Sequence, residues 1–222
     1  MRMPIRSTVL AIAATIASLG ATVAPASAVP EETVTTTLRD AISALPVADE
    51  DRTGYQRSMF RHWVDEDTNG CSTRQEVLLA EAIEPPTVSG RCVISGGLWH
   101  SYYDNMDVDN ARGLDIDHVV PLAEAWDSGA STWSPQERQS YANDLGDARA
   151  LAAVTARENR SKADQDPNTW LPTDEGAHCR YLEEWTVVKS RWNLTVDPAE
   201  TAALAGLANG CQDTRITYTR AR

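Results

Sequence analysis

Polar and apolar residues alternate along this chain in short stretches, after an N-terminal segment of a different kind. Arg2 and Arg6 precede a mainly apolar run over residues 9–19, and Ala26-Ser27-Ala28 has the small side chains of a cleavage site. The pattern predicts an export signal over 1–28 and a mature chain beginning near Val29. No later run is long and apolar enough to span a membrane. Residues 37–45 set Leu38, Ile42 and Leu45 on one side of a short helix closed by Pro46, a lead-in within 29–50. Residues 54–63 and 73–83 read as two more helices around a tight polar loop, 65–71, and Pro85 and Pro86 end the helical region. Residues 91–98 and 114–120 are short, β-branched and glycine-bounded, as strands are, with a polar turn region over 102–113 between them. Three helix starts are signed as capping boxes: Ser134-Pro135 with Glu137, Thr155 with Glu158, and Asp197-Pro198 with Glu200. The apolar run 150–154 reads as a short strand feeding into the Thr155 helix. In 179–192, Tyr181, Leu182, Trp185, Val188 and Trp192 recur at helical spacing and are expected in the core.

Composition narrows the class. The 222 residues are 42% hydrophobic and 23% charged, without repeats, which suits one globular domain over 51–222 and excludes collagen-like or low-complexity chains. The formal charge is −12, and loss of a signal holding two arginines and no acid takes it to −14. A simple electrostatic nucleic-acid binder would be basic. Four cysteines in an exported chain read as two disulfides, for which sequence allows three pairings. Cys71 with Cys92 and Cys179 with Cys211 is favoured because each pair staples neighbouring elements, at about 3 kcal/mol apiece. There is no CxxC, and only His178 stands beside a cysteine, so a zinc–cysteine site is the weaker reading.

The chemistry concentrates in two segments. Leu114-Asp115-Ile116-Asp117-His118-Val119-Val120-Pro121 is a strand with Asp115 and Asp117 on one face and a histidine at its end, hard oxygens beside an imidazole. Alone, an Asp-His pair is equally a solvated strand end. Thr155-Ala156-Arg157-Glu158-Asn159-Arg160-Ser161-Lys162 then opens a helix with Asn159 one turn in and cations around it. An amide oxygen can complete a hard-metal site while Arg and Lys hold phosphates. Strand ending in Asp-His, short strand, helix bearing Asn: this order resembles the ββα-metal finger of the HNH (His-Asn-His) endonuclease superfamily. The whole of about 50–211, including Thr73-Arg74-Gln75-Glu76 and the final cysteine, resembles secreted bacterial HNH proteins related to the C-terminal domain of GmrSD-type restriction enzymes.

That resemblance implies an α+β fold, a ββα-metal core at about 112–164 in a mostly helical domain, and a metal-dependent endonuclease of little sequence specificity. Asp117 and Asn159 would be metal ligands, with Asp115 beside them, and His118 the general base, its other ring nitrogen held by a backbone carbonyl. Arg160, Lys162 and Arg157 would contact phosphates, with Arg149 adding to the basic patch. The family's middle asparagine has Asn143 as its candidate counterpart, Asp147 as the alternative. Oxygen donors favour Mg²⁺ or Mn²⁺. The expected partner is nucleic acid, DNA ahead of RNA, met by a secreted monomer. Separately, Asp65, Asp67, Asn69, Gly70 and Glu76 fit the EF-hand calcium pattern, a candidate structural Ca²⁺ loop whose alternative is helix capping. The runner-up function is an exported, calcium-stabilised binding module with an idle HNH-like core. His62, His100 and His178 fall in no ligand spacing and are read as surface or structural.

Overall fold

A computed structural model describes residues 32–222, and the expected export signal over 1–28 lies outside them. The described chain runs through β1 (Thr33–Thr37), α1 (Leu38–Ala44), α2 (Thr73–Ala80), β2 (Thr87–Ser89), β3 (Val93–Ser95), β4 (Trp99–Ser101), β5 (Met106–Val108) and β6 (Leu114–His118). It continues through α3 (Leu122–Asp127), α4 (Pro135–Ala142), β7 (Leu151–Thr155), α5 (Ala156–Lys162), α6 (His178–Arg191), α7 (Pro198–Ala208) and β8 (Arg215–Thr219). The described strands form antiparallel pairs, β1 with β8, β2 with β3, β4 with β5 and β6 with β7. The result is a mixed α and β fold braced by two disulfides, Cys71–Cys92 and Cys179–Cys211, with Cα atoms 5.0 and 5.5 Å apart.

Helix α6 is the central post. Tyr181, Leu182, Trp185, Val188 and, just past its end, Trp192 are all buried, as their spacing predicts. The lead-in does not stand apart: β1 pairs with β8, and Leu38, Ala41 and Ile42 of α1 are buried in the common core.

Two segments differ from expectation. Residues 54–63 form no α-helix, only one 3₁₀ turn at Arg57–Met59. Distant side chains take two of this segment's carbonyls: Arg138 donates to Met59 O and Asn143 Nδ2 to Arg61 O. Trp63 is also held at φ 59°, outside the helical region. The region 102–113 is not all turn, because β5 returns along β4 through a turn at Asn105, φ 52°, a residue that tolerates the left-handed conformation.

Of the three capping boxes, only the one at Ser134 and Glu137 is reciprocal. At α5, Thr155 caps Glu158 N, but the Glu158 carboxylate accepts from Thr173 Oγ1 at 2.6 Å. At α7, Asp197 caps Ala199 and Glu200, and the Glu200 carboxyl goes inward to Trp185 Nε1. There it meets Lys189, a fully buried ammonium whose three N–H groups are shared among four acceptors, Glu124 Oε1 at 2.6 Å, Ser128 Oγ at 2.7 Å, Thr195 O at 2.8 Å and Glu200 Oε2 at 3.0 Å. This knot ties α3, which follows directly on β6, to α6 and α7. Burial raises the Glu200 pKa to about 7, opposed by Lys189; at Glu124 burial also pushes upward, but Lys189 together with hydrogen bonds from Ser128 and Glu50 leaves its pKa lowered.

Removing the ammonium leaves buried carboxylates without their cation. Lys189→Met is expected to cost about 3–5 kcal/mol in urea unfolding at neutral pH, and a loss below about 0.5 kcal/mol would mean the knot is not under tension from desolvation.

Candidate active site

Strands β6 and β7 pair with Asp117 opposite Ala152 and His118 opposite Leu151, and the chain passes from β7 straight into α5. Burial on both faces explains why β7 reads Leu-Ala-Ala-Val, small and apolar. Together these elements bring Asp117, His118, Asn159 and Arg160 to one cleft of about 310 Å³, with Arg57, Ile116, Pro121, Leu122, Ala163 and Asp164 completing its wall. Its rim is open to solvent at Arg57, Arg160 and Asp164.

Asp117 is buried, and one of its oxygens is fully engaged: Oδ2 accepts from Tyr103 Oη and from Lys162 Nζ, both at 2.6 Å. Lys162 is wholly buried and also donates to His118 O at 2.9 Å. It is therefore not an open phosphate contact, because its ammonium is spent inside the fold. Burial drives the Asp117 pKa up and the Lys162 pKa down, and their mutual attraction opposes both shifts.

His118 stands with Nε2 2.9 Å from Ala142 O. A carbonyl only accepts, so Nε2 carries the hydrogen and Nδ1 keeps a lone pair. Burial is the main cause holding the ring neutral, its pKa pushed down to about 3, with the carbonyl bond opposing and Arg57, His62 and Lys162 adding to the depression. Trp63 stacks on the ring, centroids 5.3 Å apart and planes at 29°, and His62 meets it edge-on at 6.3 Å. The segment carrying both aromatics is locked by Asn143. Its Oδ1 accepts from Val64 N at 3.1 Å and Thr73 Oγ1 at 2.8 Å, and its Nδ2 donates to Arg61 O and Gln139 O, both at 2.7 Å. Asn143 also follows Ala142, whose carbonyl holds His118. The alternative, Asp147, is instead paired with Arg149 at 2.7 Å.

Asn159 Nδ2 donates to Asp115 Oδ2 at 3.2 Å, and Arg160 Nε lies 3.4 Å from the same oxygen. Asp115 is thus a partner that orients Asn159; it does not line the cleft. Arg157 is also absent from the cleft wall and pairs with Asp104 and Glu158 at 3.4 and 3.3 Å. Arg149 is taken up by Asp147 and Glu183. The basic patch suggested by sequence proximity therefore does not assemble: only Arg160 of that group reaches the cleft. Sequence reasoning missed Arg57, Trp63 and Tyr103, which come from segments read as helix or turn and have no motif of their own. His100 bonds Asp107 at 2.8 Å and His178 bonds Pro172 O at 3.0 Å, structural roles as expected.

The Asp65–Glu76 loop closes on itself. Asp65 accepts from Gly70 N at 3.0 Å, while Asn69 Nδ2 donates to Asp67 and to Glu76, each at 2.8 Å. Helix α2 follows the loop, but the helix expected before it is absent, so the EF-hand's helix pair does not form. Among the described residues, carboxylates gather within 4.8 Å of one another as Glu50–Glu124–Asp127 and Glu50–Asp166–Asp197, not as Asp65–Asp67–Glu76. Lys189 and Arg52 already answer Glu124 and Asp127 in the first of these groups.

The family model described as GmrSD restriction endonucleases, C-terminal domain, matches residues 75–207, a span that contains β6, β7 and α5. A relative from the fungus Arthroderma benhamiae, named an uncharacterized secreted protein, is 38% identical over 205 residues, which is 92% of this chain and 98% of the relative. The relative is fungal, where the sequence resemblance pointed to bacterial proteins. No solved structure matches.

Asn143 bonds both sides of the 61–64 segment. Asn143→Ala is expected to lower stability by about 1–3 kcal/mol and to speed hydrogen exchange at the Val64 amide while the β6–β7 amides stay protected. Unchanged exchange at Val64 would mean that other contacts hold this segment against His118.

Proposed function

The chain belongs to the family of the GmrSD restriction endonuclease C-terminal domain, and from that premise we propose that it is an exported, metal-dependent endonuclease of the HNH type that hydrolyses phosphodiester bonds in nucleic acid. The observation that carries the reading is the convergence of Asp117, His118 and Asn159 on one solvent-open cleft. In this reading β6, β7 and α5 are the ββα core, and α3 and α4 are inserted between its strands.

The donor set suits a hard divalent ion. Asp117 Oδ2 is occupied, which leaves Oδ1 as its acceptor toward the cleft. Asn159 donates its amide nitrogen to Asp115, so its amide oxygen is the atom free to ligate. A carboxylate oxygen and an amide oxygen fit Mg²⁺ or Mn²⁺ better than zinc. Such an ion, when bound, supplies Lewis-acid stabilisation of the charge that develops on the phosphate and on the leaving oxygen.

The chain's own residues do the rest. His118 Nδ1 takes the proton from the attacking water, and the bond from Nε2 to Ala142 O keeps the ring in the tautomer that leaves Nδ1 bare. Trp63 fixes the plane of that ring. Lys162 and Tyr103 hold the Asp117 carboxylate in one orientation. Arg160, with its side chain 75% exposed, can leave Asp115 for a phosphate oxygen at small cost, because exposed ion pairs are weak. Contacts to phosphates alone carry no base readout, so little sequence specificity is expected, on DNA ahead of RNA. Export agrees with the two disulfides, the expected signal and the secreted name of the fungal relative. No helix among the described residues is long and apolar enough to cross a membrane.

The test is nicking of supercoiled plasmid by the oxidised mature chain with Mg²⁺ or Mn²⁺. Wild type is expected to nick, EDTA to stop it, and His118→Ala to slow it by about 10²–10⁴-fold with the circular dichroism spectrum unchanged. Absence of cleavage of both DNA and RNA under either ion would overturn the reading.

A further inference from the structure

We propose that Arg57, which the sequence motifs leave out and which lies before the family-matched span, is the principal phosphate-binding residue of the cleft. The inference rests on the nuclease reading and extends it. Four cations stand near the site in sequence, and each already has a carboxylate. Lys162 is on Asp117 at 2.6 Å, Arg149 on Asp147 at 2.7 Å, and Arg157 and Arg160 lie 3.4 Å from Asp104 and Asp115. Arg57 differs. It lines the cleft beside Asp117 and His118, its side chain reaches solvent, and among the described residues no carboxylate lies within ion-pair distance of it. Its polar neighbour is the neutral Tyr55 hydroxyl, and Asp117, which attracts it across the cleft, lies beyond ion-pair distance and is already bound to Lys162.

The backbone that carries Arg57 is anchored. Its 3₁₀ turn is followed by Phe60, which is fully buried and packs edge-on against Trp126 and Tyr141 with ring centroids 6.4 and 6.1 Å apart. Arg138 holds Met59 O. An anchored guanidinium with no direct ion-pair partner among the described residues, at the mouth of a cleft in a chain of net charge −12, has a ready counterpart in an anion brought in with the substrate. A phosphodiester's two non-bridging oxygens match the guanidinium's paired donors. Arg160 stands elsewhere on the same wall, so the phosphate at the reacting bond would have Arg57 as its lasting contact and Arg160 as one released from Asp115 on binding.

The experiment measures binding of a fluorescein-labelled oligodeoxynucleotide to the oxidised chain in EDTA across a salt series, beside plasmid cleavage with Mg²⁺. Arg57→Ala is expected to weaken binding about tenfold or more, to flatten the slope of log affinity against log salt by about one unit, and to raise KM for cleavage. Arg57→Lys, which keeps the charge and loses the paired donors, should keep the slope and recover part of the affinity. Arg91→Ala, in the turn between β2 and β3, controls for general charge and should match wild type. If wild type binds and cleaves while Arg57→Ala matches it in affinity and slope, Arg57 is not a phosphate contact and this proposal alone fails. If wild type neither binds nor cleaves, the nuclease reading fails and takes this inference with it.

Discussion

The buried Lys162 ammonium, held between the Asp117 carboxylate and the His118 carbonyl, is the interaction on which the site depends. It reaches from α5 across to the last two residues of β6, so the helix that carries Asn159 cannot shift relative to the strand that carries Asp117 and His118. Desolvating two charges is costly, and the pair is kept because each partner makes a second good bond, Asp117 to Tyr103 and Lys162 to the backbone. Strand pairing alone would set the register of β6 and β7. The ion pair additionally sets the distance between the strand end and the helix face, which is the dimension a shared metal would require.

A second constraint acts from outside this core. Asn143 ends α4 just after the carbonyl that holds His118, and its amide draws in the irregular 61–64 segment, so that Trp63 lies over the imidazole. The insertion between β6 and β7 is therefore part of the site and more than a spacer. It supplies the acceptor that selects the His118 tautomer and the clamp for the aromatic cover. Arg57 arrives on the same segment, a few residues earlier, so the packing that places Trp63 over His118 also bears on where Arg57 stands in the cleft wall.

Local signals in the sequence carried well wherever the physics is local. Thr155, Ser134 and Asp197 mark helix starts because a side-chain oxygen satisfies nearby amides, and those helices begin where expected. The period of Tyr181, Leu182, Trp185 and Val188 locates the core face of α6 because burial follows geometry along one helix. The Asp117–His118 strand end and Asn159 stand out in the sequence because their order resembles one motif, and the fold brings all three to one cleft. What was not legible depends on partners far away in the chain. Lys162 looks like a surface cation until Asp117, 45 residues before it, claims it. Residues 54–63 look helical until Arg138 and Asn143 take their carbonyls. Arg57 carries no motif at all, and it stands out only once the fold shows which other cations are already paired with carboxylates.

If the Ala142 carbonyl sets the state of the ring, His118 is a neutral imidazole with its hydrogen on Nε2 and its lone pair on Nδ1. Nitrogen-15 chemical shifts of His118 in the oxidised, metal-free chain at neutral pH test it most directly. The predicted result is a protonated Nε2, coupled to its hydrogen and hydrogen-bonded, beside a bare Nδ1 with the downfield shift of an unprotonated imidazole nitrogen. A proton on Nδ1, or on both nitrogens, would contradict this, because Nδ1 would then have no lone pair with which to take a proton from water.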